Sequence, residues 1–210
     1  MLDNETLFSL LAKGGIMQLL IAISSVAAIA IIIERFLTYS KFNRETKRFT
    51  EKLGKILETG NLARALEFAE RDRAAVANVV KLGIKNFSLG KERVSETMEN
   101  AAKQVLFELE KGLSALATIS GVAPLLGFLG TVTGMISAFM QIQNLEGVAN
   151  PTDLAGGIWE ALITTASGLA VGIVALTAYN FFVARVKKIA LDMETIATEI
   201  INKIAENENE

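Results

Sequence analysis

Three stretches of this chain, residues 16–33, 113–142 and 161–184, contain no Asp, Glu, Lys or Arg. Each has about the 20 apolar residues that carry a helix across a bilayer core. In lipid a backbone must satisfy its own hydrogen bonds, and segments of this length do so as helices. The sequence therefore predicts an all-α integral membrane protein with three transmembrane helices and long cytoplasmic helical extensions. With their flanks the spans become 16–36, 112–142 and 158–184. Around them lie a short N-terminus (1–15), a long polar region (37–111), a short loop (143–157) and a C-terminal helix with an acidic tail (185–210).

Charge distribution predicts the orientation. Basic residues run from Lys41 to Lys111 in the long region, Arg185, Lys187 and Lys188 follow the third span directly, and the short loop has neither Lys nor Arg. Retention of Lys and Arg on the inner side places the long region and the C-terminus in the cytoplasm and the N-terminus and short loop in the periplasm. Ala28-Ile29-Ala30 imitates a signal-cleavage site, but Asp3 and Glu5 precede the apolar run and Ile31 to Ile33 extend it, so a retained span is expected.

The chain has no Cys and no His. Thiolate and imidazole metal sites, disulfides and histidine-dependent triads are thereby excluded, and neither an enzyme nor a metal or other cofactor is expected. A net charge of -2, with the bases interleaved among acids, gives no reason to expect nucleic-acid binding.

In the polar region the spacing of Phe49, Leu53, Ile56 and Leu57 predicts a helix over 44–58, with a break at Thr59-Gly60-Asn61. Leu62, Ala65, Leu66 and Ala69 continue the helical period after it, then Val76, Val79, Val80, Ile84 and Phe87. From Val94 the period runs through Met98, Ala101, Val105 and Leu109 into Leu113, which predicts one helix continuous with the second span. The third span extends likewise. Val186, Ile189, Met193, Ile196, Ile200 and Ile204 alternate spacings of three and four, a stripe that needs a partner helix. The final residues, Ala-Glu-Asn-Glu-Asn-Glu, read as a disordered end.

A plain lipid anchor needs only Leu, Ile and Val, so the small and polar residues of the second and third spans require a reason. Gly127, Gly130 and Gly134, and Gly168 and Gly172, offer surfaces on which helix backbones can approach closely. Thr131 lies one turn after Gly127, and Thr165 shares a face with Gly168 and Gly172. A lone intramembrane threonine ordinarily bonds back to its own helix. Two facing glycine–threonine stripes could instead line a narrow, weakly polar path. Glu160, Thr164 and Ser167 run inward turn by turn on the third span, with Glu160 and Asp153 toward its outer end, and Glu160 and Thr164 are expected on the proton pathway together with Thr131 and Thr165. No carboxylate lies in the middle of any span, so a proton relay through this chain would need a titratable group from elsewhere.

The motifs Gly-Phe-Leu-Gly-Thr-Val-Thr-Gly-Met (127–135), Gly-Ile-Trp-Glu-Ala-Leu-Ile-Thr-Thr-Ala-Ser-Gly-Leu-Ala-Val-Gly-Ile (157–173), Ala-Tyr-Asn (178–180) and Ile-Ile-Ile-Glu-Arg-Phe (31–36), in this order, resemble the ExbB/TolQ branch of the MotA/TolQ/ExbB proton-channel family. The resemblance implies a pentameric ring in the bacterial inner membrane around a dimeric ExbD- or TolR-like partner. That partner's single span would supply a membrane Asp, and proton flow would drive mechanical work on the cell envelope. It further implies that Thr131 and Thr165 are pore threonines and Glu160 the family glutamate. Thr133 departs from the family, which often has Trp there, and Thr164 and Ser167 replace the more usual Ala and Ile. The residues alone also permit a non-conducting oligomeric scaffold; internal repeats and broken midplane helices, the marks of a carrier, are not seen in the sequence.

Overall fold

A computed structural model of the chain describes residues 15–144 and 151–207, with side chains described for 15–143 and 154–202. All regular structure among these residues is helical: α1 (Gly15–Leu57), α2 (Leu62–Arg71), α3 (Ala75–Lys85), a 3-10 turn (Phe87–Leu89), α4 (Lys91–Glu110), α5 (Leu113–Asn144) and α6 (Pro151–Asn207). α1, α5 and α6 each carry a segment long and apolar enough to cross a membrane.

The chain separates into two compact units. The apolar unit comprises Met1–Ile33 and Gly112–Phe181, and the charged unit Glu34–Lys111 and Phe182–Glu210. The divisions fall where charge begins in the sequence, at Glu34 and beside Lys111. Each unit is described by itself.

Within the charged unit the predicted periodicities become buried stripes. Phe49, Leu53, Ala65, Ala69, Val76, Val80, Val94 and Met98 are all buried. Asn61 caps α2, its side chain accepting from the Arg64 amide at 2.9 Å. Gly60 before it takes φ +69°, the left-handed conformation that suits glycine after a helix end. Val186, Ile189, Met193, Ile196 and Ile200 are buried too. Their stripe finds cover inside the same unit, where Met193 and Ile201 border one groove with Met98 and Leu106 of α4. The Ile204 side chain lies outside the described residues, as do residues 1–14, the loop 145–150, the Asp153 side chain and the last residues of the acidic tail.

Three boundaries differ from the sequence reading. The helix expected at 44–58 is no separate element, because α1 runs unbroken from Gly15 to Leu57. The sequence places residues 143–157 in the short loop, yet α6 already begins at Pro151, which proline at the first helical position permits. Conversely, the helix expected to run from Val94 into the second span is interrupted. α4 stops at Glu110, Lys111 is extended, and Gly112 takes φ +77°.

That interruption leaves carbonyls at the end of α4 without helical partners. Two side chains one turn apart on α1 supply donors. Arg35 donates from one guanidinium nitrogen to the Glu108 and Leu109 carbonyls at 3.2 and 3.1 Å, and the Tyr39 hydroxyl donates to the Leu109 carbonyl at 2.6 Å. Glu34 is the ion-pair partner of Arg35. Arg35 is only 8% exposed, so the guanidinium is held by directed bonds, and its charge suits the negative end of a helix. The Tyr39 ring packs against Phe182 with centroids 5.3 Å apart.

Burial raises the Tyr39 phenol above its ordinary value, although the Arg35 charge opposes the shift. In alkali the unfolded chain therefore loses this proton before the folded chain does, and stability declines as pH rises past about 10. Tyr39→Phe should cost about 1 kcal/mol near neutral pH and remove that part of the alkaline decline. Thermal unfolding of the detergent-solubilised protein across pH 8–11 (a range of about 3 units around the phenol value) checks both effects.

Candidate functional site

The antiparallel contact of α5 with α6 is built on glycine. A β-carbon placed on Gly127 would stand 2.9 Å from the Thr164 carbonyl oxygen, and one on Gly134 2.9 Å from that of Gly157. On the opposite helix, a β-carbon on Gly168 would stand 2.5 Å from the Ala123 oxygen, and one on Gly172 2.5 Å from the Pro124 ring. Gly130 receives the Thr164 side chain, whose hydroxyl would lie 2.5 Å from a β-carbon there. Every glycine singled out from the sequence thus lies in one helix pair within one chain. Carbonyl oxygens aimed at glycine α-carbons have the arrangement of weak Cα–H···O bonds, which recur where helices meet closely.

Pro124 belongs to the same contact. Having no amide hydrogen, it cannot bond the Ser120 carbonyl one turn earlier. Its ring fills the space left by Gly172, and that glycine also faces the Ser120 oxygen.

Thr131 and Thr165 meet across this contact. Their hydroxyls are in direct hydrogen-bonding contact with each other. Both also reach one acceptor: Thr131 donates to the Gly127 carbonyl at 3.2 Å along its own helix, and Thr165 donates to the same oxygen from the neighbouring helix at 3.0 Å. The two side chains are half-buried. With two hydroxyl protons and a shared carbonyl, either threonine can donate to the other while the second holds Gly127, so the donor order can reverse without moving a helix.

The other expected path residues are placed differently. Thr164 is fully buried, and its hydroxyl donates to the Glu160 and Ala161 carbonyls of its own helix at 2.9 and 3.0 Å. It is wedged against Gly130, where it acts as a packing group within this helix pair. Thr133 points outward and bonds back to Leu129 and Gly130. Glu160 is half-buried against α1, its Oε1 occupying the place where a β-carbon of Gly15 would be. At 3.6 residues per turn Glu160 and Thr165 lie about 140° apart around α6, so the glutamate does not share the threonine face.

Sequence reasoning missed Gln18. This residue is 2% exposed in the first turn of α1, and its Nε2 donates to the Ser167 Oγ of α6 at 3.1 Å. A single amide in an apolar run gives little signal when only charges are being sought. Among the described residues, no group of three or more Asp and Glu side chains could hold a metal ion.

The fold and this site define a multi-pass helical membrane protein whose second and third spans are joined at backbone contact, with a hydroxyl pair at the joint. The family profile of the MotA/TolQ/ExbB proton channel family matches residues 71–195, and the chain belongs to that family. It is 29% identical over 201 residues to a biopolymer transport protein ExbB homolog of Methanothermobacter thermautotrophicus, covering 95% of this chain and 69% of that one. It is 34% identical over 177 residues to the ExbB-like 1 biopolymer transport protein of Synechocystis sp., covering 82% and 68%. With the Tol-Pal system protein TolQ of Pseudomonas aeruginosa it shares 27% over 212 residues, covering 94% and 91%. The profile match takes in Thr131, Glu160 and Thr165 and stops short of Gln18.

Gly168→Ala should separate α5 from α6, because the added carbon meets backbone that cannot move aside cheaply. Gly121→Ala is the control, since nothing lies within 4 Å of its β-carbon position. A loss of about 1–3 kcal/mol is expected for Gly168→Ala and almost none for Gly121→Ala, read from thermal unfolding of both variants in the same detergent.

Proposed function

We propose that this chain is the channel subunit of an ExbB/TolQ-type motor that turns the proton motive force into mechanical work on the cell envelope. The observation that carries the reading is the Thr131–Thr165–Gly127 cluster. It puts two redirectable hydroxyl donors at the edge of a rigid helix pair, in spans with no ionisable group near their middle. Hydroxyls relay and solvate protons but do not store them near neutral pH, so the storing group is a carboxylate from a partner. An ExbD/TolR-like single-span protein with a membrane Asp has the required chemistry. When its carboxylate arrives, the threonine that holds Gly127 can turn its proton from that carbonyl to the carboxylate oxygen. When the carboxyl is protonated, the threonine returns to Gly127 and the partner is released to move.

Energetics allow such a cycle. At about 150 mV each proton supplies about 3.5 kcal/mol, and nearly complete switching of a two-state element takes about 5.5 kcal/mol. Two protons per step suffice. The working assembly is a homo-oligomer, a pentamer by family resemblance, in the bacterial inner membrane. Its N-terminus is periplasmic and its charged unit and C-terminus cytoplasmic, following the basic residues. Its activity is transport rather than enzymatic turnover. Glu160 serves as the carboxylate between α6 and α1, not as the proton store.

The test is proton uptake by proteoliposomes containing both subunits. Thr131→Val with Thr165→Val preserves branching and volume while deleting both hydroxyls. Loss of interhelical hydrogen bonding should lower stability by only about 1 kcal/mol. A partner carboxylate deprived of its donors costs about 1–3 kcal/mol, which slows uptake by roughly ten- to a hundredfold. Unchanged uptake by an intact double variant would overturn the channel assignment in favour of a non-conducting scaffold.

A further inference from the structure

The α1–α6 seam is chemically unlike the α5–α6 contact. At its start the Glu160 carboxylate lies against Gly15, whose φ of +58° opens α1. One turn further along α1 stands Gln18, and two turns beyond Glu160 on α6 stands Ser167, the pair joined by the 3.1 Å bond. Gln18 is 2% exposed, and its Oε1 has no hydrogen-bond partner. Exchanging the amide ends does not cure this, because Ser167 would then hold the oxygen and leave the NH2 group unmet. A buried amide end without a partner is costly, and an apolar residue in its place would carry no such penalty. Ser167, accepting from Gln18, has its own proton to give, so the pair presents one acceptor and one donor side by side.

We propose that Gln18 and Ser167 form a water-binding site in the α1–α6 seam, holding an internal water that donates to the Gln18 oxygen and accepts the Ser167 proton. Gln18 lies one turn along α1 from Gly15, where the Glu160 carboxylate, a group that itself favours hydration, is seated. The assignment concerns water and not the threonine pair, and it stands or falls independently of conduction through Thr131 and Thr165.

The experiment is water-edited solid-state NMR on the full-length, 13C,15N-labelled protein in lipid bilayers. The Gln18 side-chain amide signal is identified by its loss in Gln18→Leu. Magnetisation should pass from water to that amide at a rate comparable with that of exposed Gln104, while the backbone amide of Ala175, which is fully buried, receives far less. Gln18→Leu should still fold, with a melting temperature equal to or above that of the parent, as expected when a hydrated polar site is replaced by an apolar one. An absence of transfer to Gln18 beside normal transfer to Gln104 would overturn the proposal. So would a marked fall in melting temperature for Gln18→Leu together with a dry amide in the parent, because the pair would then be a direct clamp.

Discussion

Backbone contact between α5 and α6 is the constraint on which the apolar unit depends. Lipid tails are as apolar as leucine, so burial alone gives two membrane helices little reason to associate. Dispersion and weak polar contacts replace it, and both require the helix axes to come within reach of carbonyl oxygens. Gly127, Gly134, Gly157, Gly168 and Gly172 permit that approach from both sides, and a side chain at any of them would meet opposing atoms at 2.9 Å or less. The threonine pair follows from it. Only because Gly127 has no side chain can the Thr165 hydroxyl cross to its carbonyl and lie beside Thr131.

A second constraint acts where apolar sequence gives way to charge. α1 and α6 continue through this change as single helices, whereas α4 and α5 are separated at Lys111–Gly112. A broken helix exposes carbonyls that need donors, and α1 carries them at Arg35 and Tyr39. The Ile-Ile-Ile-Glu-Arg-Phe segment thereby acquires a physical purpose. Its aliphatic part ends the span and its arginine completes the terminus of another helix. Glu34 balances the charge.

Much of this was legible from one sequence because its signals are long-range averages. Three uncharged stretches define three spans, and the buried stripes at Phe49, Val76 and Ile189 follow the helical period. What could not be read depends on single partners. Continuity of α1 through residue 44 had no local marker, since its span and polar part share one helical register. The stop at Lys111–Gly112 did have one, a glycine after a polar turn, but the apolar period resumes in phase and outweighed it. Glycine spacing announces close approach without saying whether the opposing helix belongs to the same chain. Here all of the singled-out positions face a helix of their own chain. The different faces of Glu160 and Thr165 were accessible from spacing alone, since five residues do not return to the same side of a helix.

α6 therefore presents two unlike faces to its neighbours in the apolar unit. Toward α5 it offers Gly168, Gly172 and the Thr165 hydroxyl, all in direct contact with backbone, where a displacement of even a fraction of an ångström forfeits attraction or creates overlap. Toward α1 it offers Glu160 and Ser167, followed by Ala170, Val171 and Val174, which border an open groove of about 220 Å³ with Ser25, Ala28 and Ile29. That groove opens outward, with Ile29 and Val174 about half exposed, whereas the close α5–α6 contact opposes distortion of the threonine pair. In the cycle proposed above, hydroxyls that meet an arriving carboxylate have to stay within hydrogen-bonding distance of it, and movement elsewhere has to be absorbed without disturbing them.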